Sequence, residues 1–330
     1  MVTLVPDRPR DEGQTMPIPL LVTIEIDPVS SSRLEAAGFG LRVAVDKAER
    51  AQVISAAGDD IRAVLTNGST GLDTDEIAAL SALEIICALG AGYEKIDLDA
   101  ARARGIVVTH GPGTNDATVA DHAMALLMAI VRGIVGADHA VRRGDWLRSR
   151  QPRPMISGKK LGILGLGTIG EQIARRGAGG FGMDVAYHNR TPRAGAPWLY
   201  LPSPRALAQW SDLLVVATPG GAATRHLVDA HVLDALGPAG FLVNIARGSV
   251  VDTAALVHAL EHGRIAGAAL DVVEGEPNVP PDLTRQQNLV LTPHIAGRSP
   301  EAVKATVDLV IDNLQAHFGG RPVLTHVPGT

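Results

Sequence analysis

Short aliphatic and β-branched runs alternate with longer amphipathic stretches along most of the chain. "LLVTIEI" (residues 20–26), "LRVAV", "IRAVLTN", "LEIICALG" and "IVVTH" read as strands. "SSRLEAAG", "AERAQVISAAGDD", "DTDEIAALSA" and "DLDAARARG" read as the helices between them. Such an order predicts βα units and a parallel sheet. Asp97 and Asp99 stand where an acid suits the start of the last of these helices. The rhythm then breaks. Residues 115–144 read as one long helical region, followed by the loop "QPRPMISGK". A second series begins with "KLGILGLG" and continues through "MDVAYHN", "DLLVVATP", "GFLVNIA", "AGAALDVV" and "NLVLTPH". None of these strands alternates strictly, as expected where helices cover both faces. Residues 300–318 read as a closing amphipathic helix. The pattern predicts an α/β protein made of two doubly wound parallel-sheet domains.

Composition narrows the picture. A chain of 330 residues is long enough for two domains. Aromatic residues are only 3%, so the core must be built from aliphatic side chains. A net charge of −5 and a pI of about 6.1 weigh against a general nucleic-acid binder, while leaving room for a local basic pocket. The single cysteine, Cys87, excludes an intrachain disulfide and a Cys-rich metal site. It lies in an apolar run and reads as a buried, inert thiol. The N-terminus lacks an apolar signal core, and the tidy apolar stretch 123–131 is too short to span a bilayer. A cytoplasmic protein is expected, with neither membrane nor nucleic acid as partner. The first fifteen residues are polar and contain proline; disorder is expected there, and Met16 offers an alternative start.

Candidate chemistry starts at "LGILGLGTIGEQIARR", where Gly165, Gly167 and Gly170 have the spacing G-x-G-x-x-G. That spacing alone is a weak signal; a strand before it, a helix after it and a second strand beyond give it weight. Gly165 would permit a sharp turn, Gly167 close approach of a pyrophosphate, and Gly170 packing of helix on strand. Free N–H groups at Thr168 and Ile169 would face the phosphates. Sites for NAD commonly carry an acid after the second strand, for the adenosine ribose. Here that place holds Asn189, followed by Arg190, Thr191 and Arg193. Guanidinium groups bind phosphate strongly, so the stretch reads as a cradle for a 2′-phosphate and favours NADP, with NAD possible. The bland alternative is a pair of solvated surface arginines.

Several later segments end a predicted strand in a polar residue, where ligands sit in open α/β sheets. "LLVVATPG" ends at Thr218 and Pro219, which would wall the nucleotide pocket. "GFLVNIARGS" ends at Arg247, "GAALDVVEGEP" carries Asp271 and Glu276, and "NLVLTPHIAG" ends at His294. Together with "GAGYEKIDLDAARARGI", "TVADHAMALLMA", "ATPGGAAT" and "VNIARGSVVD", these segments resemble the D-isomer-specific 2-hydroxyacid dehydrogenase family over nearly the whole chain. Within it, "NRTPR" looks most like the NADP-using glyoxylate and hydroxypyruvate reductases.

The resemblance implies a catalytic Arg247, Glu276 and His294. Arg247 would grip the carboxylate and carbonyl oxygen of a 2-oxoacid and stabilise the charge that develops there. Imidazole titrates near neutrality, which suits His294 to supply the proton, with Glu276 orienting it. Asp271 would meet the nicotinamide amide or steady the site, and Ala246 and Gly297 join the cofactor contacts. The backbone of Ala91 and Gly92 would meet the substrate carboxylate from across a cleft, together with Arg247 and His294. "TNGSTGL" (residues 66–72) would line the side-chain pocket, and its small, polar-leaning character favours glyoxylate, hydroxypyruvate or a similar short 2-oxoacid. No metal is implied. His122 reads as a packing residue, and His188 and His226 receive no role.

The resemblance further implies a flavodoxin-like substrate domain, residues 1–114 plus 299–330, and a Rossmann dinucleotide-binding domain, residues 115–298. It implies a homodimer through the long helix and the loop after it, with Trp146 as a candidate anchor. Competing readings are a dehydrogenase of the same family for 2-ketogluconate, phosphoglycerate, formate or a bulky 2-oxoacid, and a dinucleotide-sensing corepressor or scaffold without catalysis. A methyltransferase would leave the Arg, Glu and His without a use.

Overall fold

The computed structural model describes residues 16–330, so the expectation for the first fifteen lies outside the described residues. The chain divides into two compact units. One runs to Pro112 and resumes at Lys304 through Thr330; the other spans Gly113–Val303.

In the first unit, β1 (Ile18–Val22), β2 (Phe39–Val43), β3 (Ala63–Thr66), β4 (Ile85–Ala88) and β5 (Val107–Thr109) form a parallel sheet in the order β2-β1-β3-β4-β5. Helices α1 (Pro28–Ala36), α2 (Lys47–Ala57), α3 (Thr74–Ala79) and α4 (Leu98–Ala103) connect the strands. Period-two alternation divides the strand residues between two buried faces. Leu21, Val64, Ile86 and Val108 pack on one side; Leu20, Val22, Leu65, Ile85 and Cys87 pack on the other. The acids expected at helix starts do cap them. Asp97 accepts from Ala100 N–H at 2.9 Å, and Asp27, Asp46 and Asp73 cap α1, α2 and α3. Strand β1 begins and ends earlier than the run 20–26. Beyond Thr23, whose N–H still bonds to Leu65 O, the chain turns toward the Asp27 cap. The C-terminal segment bridges β5 antiparallel at Thr109 and His326, which covers that edge.

The second unit carries α5 (Asp116–Arg132), α6 (Ile134–Arg142) and a parallel sheet of seven strands. These are β6 (Lys160–Leu164), β7 (Asp184–His188), β8 (Leu199–Tyr200), β9 (Leu213–Val216), β10 (Phe241–Asn244), β11 (Gly267–Leu270) and β12 (Leu289–Leu291), in the order β12-β11-β10-β9-β6-β7-β8. Strand order reverses at β6, which pairs with β7 on one side and β9 on the other. The pattern is the doubly wound Rossmann arrangement, and the first sheet has the flavodoxin-like order. Helix α7 (Thr168–Phe181) packs with α5 on one face; α8 (Pro204–Trp210), α9 (Ala230–Leu236) and α10 (Thr253–Glu261) cover the other. A short α11 (Pro281–Thr284) precedes β12, and α12 (Pro300–Phe318) follows it.

Two expectations need correction. The region 115–144 is two helices, not one: Gly133 takes a left-handed conformation, φ 61°, and bends the chain by 60°. A side chain there would strain the backbone, and its Cβ would fall 2.9 Å from the Arg153 guanidinium. The two-residue β8 was not foreseen, because so short a run has no period to read. No single helix among the described residues is long and apolar enough to cross a membrane.

Candidate active site

The glycine turn sits where the strand order reverses. Gly165 leaves β6 with φ 103°, and a Cβ there would lie 2.6 Å from Thr218 N, at the end of β9. A Cβ on Gly170 would lie 2.2 Å from Gly165 O, so the third glycine lets α7 close onto the turn. A Cβ on Gly167, the N-cap of α7, would meet nothing within 4 Å. The positive end of α7 therefore opens on free space, with Thr168 and Ile169 in its first turn. Such a cradle fits a pyrophosphate.

The loop after β7 folds against this turn. Asn189 Oδ1 accepts from Leu166 N–H at 2.6 Å, and its Nδ2 faces Leu166 O at 3.4 Å. The side chain is a strut of the turn. Arg190 and Thr191 are exposed. Arg193 reaches Leu166 and Gly167 carbonyls at 3.4 and 3.5 Å and pairs with Glu171 at 2.7 Å. Tyr187, buried, accepts from Arg193 N–H at 2.9 Å, and Tyr200 donates to Asn189 O at 3.3 Å.

Arg247 follows β10. Buried Asn244 shapes its turn, accepting from Ala246 N–H at 3.0 Å and donating to Arg247 O at 3.0 Å. Arg247 Nη1 donates to Ala246 O at 2.7 Å. Two glycines missed in the sequence shape its surroundings, one leaving room for the side chain and the other letting the next residue approach the 273–274 backbone. A Cβ on Gly220, one residue past Pro219, would lie 2.7 Å from Arg247 Cγ. One on Gly248 would lie 2.1 Å from the Val273 carbonyl carbon.

His294 and Glu276 meet. His294 Nδ1 lies 2.7 Å from Glu276 Oε1, and Glu276 Oε2 accepts from Val273 N–H at 3.2 Å. Burial pushes the Glu276 carboxyl up, but the His294 hydrogen bond and charge, Val273 N–H and Arg247 outweigh it. The carboxyl is held below the usual carboxylate range. His294 has φ 54°, a left-handed conformation costly for a side-chain-bearing residue. Asp271 holds the loop in that form. Its two oxygens accept from Ile295 and Ala296 N–H at 2.9 Å each, and from Thr292 Oγ1 at 2.6 Å. His122 Nε2 lies 3.0 Å from the same hydroxyl, which, already donating to Asp271, accepts from the ring. The structure thus gives Asp271 a holding part and makes His122 a hydrogen-bonded packing residue. Gly297 lies against Asn115, whose Nδ2 would be 2.6 Å from a Cβ there.

The segment that carries Glu276 also supplies a second His–carboxylate pair. His226 Nε2 meets Glu274 Oε1 at 2.9 Å, Arg225 Nη2 meets the same oxygen at 3.2 Å, and Thr253 donates to Oε2. Glu274 is two residues from Glu276, yet only "EGEP" hinted at it. Ala91 and Gly92 belong to the first unit. There Ala91 O lies 3.1 Å from His110 Nδ1, and a Cβ on Gly68 would lie 2.6 Å from the Gly92 carbonyl carbon. The 66–72 loop therefore lies directly against Gly92.

A Rossmann sheet, a glycine turn at its switch point and a His–Glu pair beside an arginine define the class of dinucleotide-dependent dehydrogenases. Residues 124–296 match the family model "D-isomer specific 2-hydroxyacid dehydrogenase, NAD binding domain". A glyoxylate/hydroxypyruvate reductase A of Arabidopsis thaliana is 43% identical over 84% of this chain and 89% of its own length. A 2-ketogluconate reductase of Gluconobacter oxydans is 44% identical over 81% of this chain and 86% of its own. The crystal structure of an NADPH-dependent glyoxylate/hydroxypyruvate reductase from Sinorhizobium meliloti, in complex with NADP and malonate, superposes with TM-score 0.87. It shares 41% identity and covers 96% of this chain and 98% of that one. The chain belongs to the D-isomer-specific 2-hydroxyacid dehydrogenase family. It is an oxidoreductase with a nicotinamide-dinucleotide-binding domain.

Proposed function

We propose that the protein reduces a short 2-oxoacid, glyoxylate or hydroxypyruvate, to the D-2-hydroxyacid, with NADPH preferred over NADH. The observation that carries the reading is the 2.7 Å His294–Glu276 pair, in the same unit as Arg247 and the glycine turn. Its relatives named for glyoxylate and hydroxypyruvate support the substrate class.

The turn at Gly165, Gly167 and Gly170, with Thr168 and Ile169 N–H, would hold the dinucleotide, and Arg190 would face its 2′-phosphate. Thr218, Pro219 and Ala246 would wall it. The bound cofactor supplies a hydride to the ketone carbon. Arg247 grips the carboxylate and carbonyl oxygen of the oxoacid in its planar fork, which fixes the carbon and stabilises the charge growing on oxygen. Because Nδ1 is engaged by Glu276, Nε2 is the nitrogen that gives its proton to that oxygen. Hydride on carbon and proton on oxygen complete the hydroxyl, and the carboxylate of Glu276 keeps the ring aligned throughout.

Steady-state kcat/KM for glyoxylate, hydroxypyruvate and 2-ketogluconate with NADPH and NADH tests this. Turnover with the short oxoacids favouring NADPH supports the reading, and Arg190→Ala should cut that preference at least about tenfold. Better turnover of 2-ketogluconate would move the substrate to the sugar acids. NADH preference would remove the phosphate role of Arg190.

A cytoplasmic homodimer goes with this proposal. Around α6 and the segment after it, Ile134, Val135, Val141, Trp146, Leu147 and Met155 are exposed, with Leu147 at 78%. Such a run of large apolar groups suits a second copy of the chain. Sedimentation at micromolar concentration should give twice 34.4 kDa, and Trp146→Asp with Leu147→Asp should give a monomer. Cell fractionation checks the location.

A further inference from the structure

The arginines after β7 have different surroundings. Arg193 Nη1 leans on the Leu166 and Gly167 carbonyls, Nη2 meets Glu171 Oε2 at 2.7 Å, and its backbone is pinned by Tyr187. Arg190 is exposed, and no described residue pairs with it. Glu171 lies in the first turn of α7, just past the glycine turn. Its other oxygen accepts from Arg175 Nη2 at 2.6 Å. One carboxylate is thus shared by two guanidinium groups. The Arg175 hydrogen bond, followed by the charges of Arg193 and Arg175, holds it below the usual carboxylate range, so it is charged at neutral pH.

A phosphate dianion approaching Arg193 meets a cation already paired, with an anion behind it. The attraction is reduced, and the guanidinium would have to leave the glycine turn to serve it. Building on the NADPH reading, we propose that Glu171 is a specificity-determining residue. It engages Arg193 as a strut of the glycine turn and leaves the 2′-phosphate to Arg190. Nothing in the G-x-G-x-x-G spacing requires an acid at this position, so the effect is separate from the phosphate-binding turn itself. It tempers the preference for the phosphorylated cofactor without adding the ribose-facing acid that would exclude it.

Equilibrium binding of 2′-phospho-ADP-ribose and ADP-ribose, measured by titration calorimetry without turnover, tests the inference. Wild type should prefer the phosphorylated ligand. Arg190→Ala should lose that preference and keep its affinity for ADP-ribose. Arg193→Ala should weaken both ligands alike, because it loosens the turn they share. Glu171→Gln should raise the preference about three- to fivefold, the scale of an exposed ion pair. The gain should vanish when Glu171→Gln is combined with Arg193→Ala, since the acid acts through that arginine. An unchanged or lower preference in Glu171→Gln overturns the inference, as does Arg193→Ala behaving like Arg190→Ala. A wild type without preference would instead overturn the NADPH reading on which it rests. Thermal midpoints of the variants, expected to stay within a few degrees of wild type, confirm that each is folded.

Discussion

His294 is held twice, on its ring by Glu276 and on its backbone loop by Asp271, and mutation separates the two. Glu276→Gln leaves the loop in place and removes the charge that orients the imidazole. It should lower kcat by about 10²-fold or more with NADPH affinity unchanged, read by steady-state kinetics and fluorescence titration. Asp271→Asn breaks the loop instead. It replaces one of the two buried acceptor oxygens with an amide donor, so that either Ile295 or Ala296 N–H loses its partner, and should cost about 1–3 kcal/mol of stability as well as rate, read by denaturant titration. The depressed Glu276 carboxyl carries a sign. A group whose folded pKa lies below its unfolded value adds stability that is present above the unfolded value, about 4.3 for Glu. That contribution is lost as pH falls through the folded value. The thermal midpoint of Glu276→Gln should therefore fall less steeply than wild type below about pH 4.3. Cys87 gives a contrasting case. Burial pushes its thiol up to about 12, so a thiol reagent at pH 8 should label the unfolded chain and leave the native one unmodified.

At the scale of elements, the buried stripe of α5 is regular. Val119, Ala123, Leu127 and Ile130 recur every three or four residues and pack on β6 and α7 side chains such as Leu161 and Ile173. Leu127→Ala should cost about 2–5 kcal/mol, measured by denaturant titration. The bend after α5 rests on Gly133, and alanine there should cost about 1 kcal/mol, because left-handed backbone is unfavourable for any L side chain. Periodicity revealed the stripe and could not reveal the bend: polar and apolar residues on both sides of Gly133 continue a helical pattern. Boundaries of β1 and β2 likewise moved, by two residues at β2 and by up to four at β1, since caps and pairing partners, not hydrophobicity, end a strand.

For the whole molecule, each unit closes its own core on both faces of its sheet, which explains how a chain with 3% aromatic residues builds two domains from aliphatic side chains. Saturating NADPH at about a hundred times its Kd should add about 2.7 kcal/mol to unfolding of the unit that holds the glycine turn, seen as a raised thermal midpoint. Much of this was legible beforehand. The strand–helix alternation carries the fold class, because burial on both faces leaves a mark on every strand. The three glycines, Arg247, Glu276 and His294 also stood out, because close approach and acid–base chemistry restrict which residues serve at strand ends. The partnerships were not legible. That Asn189 braces Leu166, that Arg193 leans on Glu171, that Asp271 holds the His294 loop and that Gly220 clears space for Arg247 all depend on which loops meet. Sequence alone determined the periods, the turn chemistry and the reactive residue types, which are local properties of the chain. Only tertiary structure decided which charges are paired and which stay open to a ligand, because pairing depends on distances between residues far apart along it.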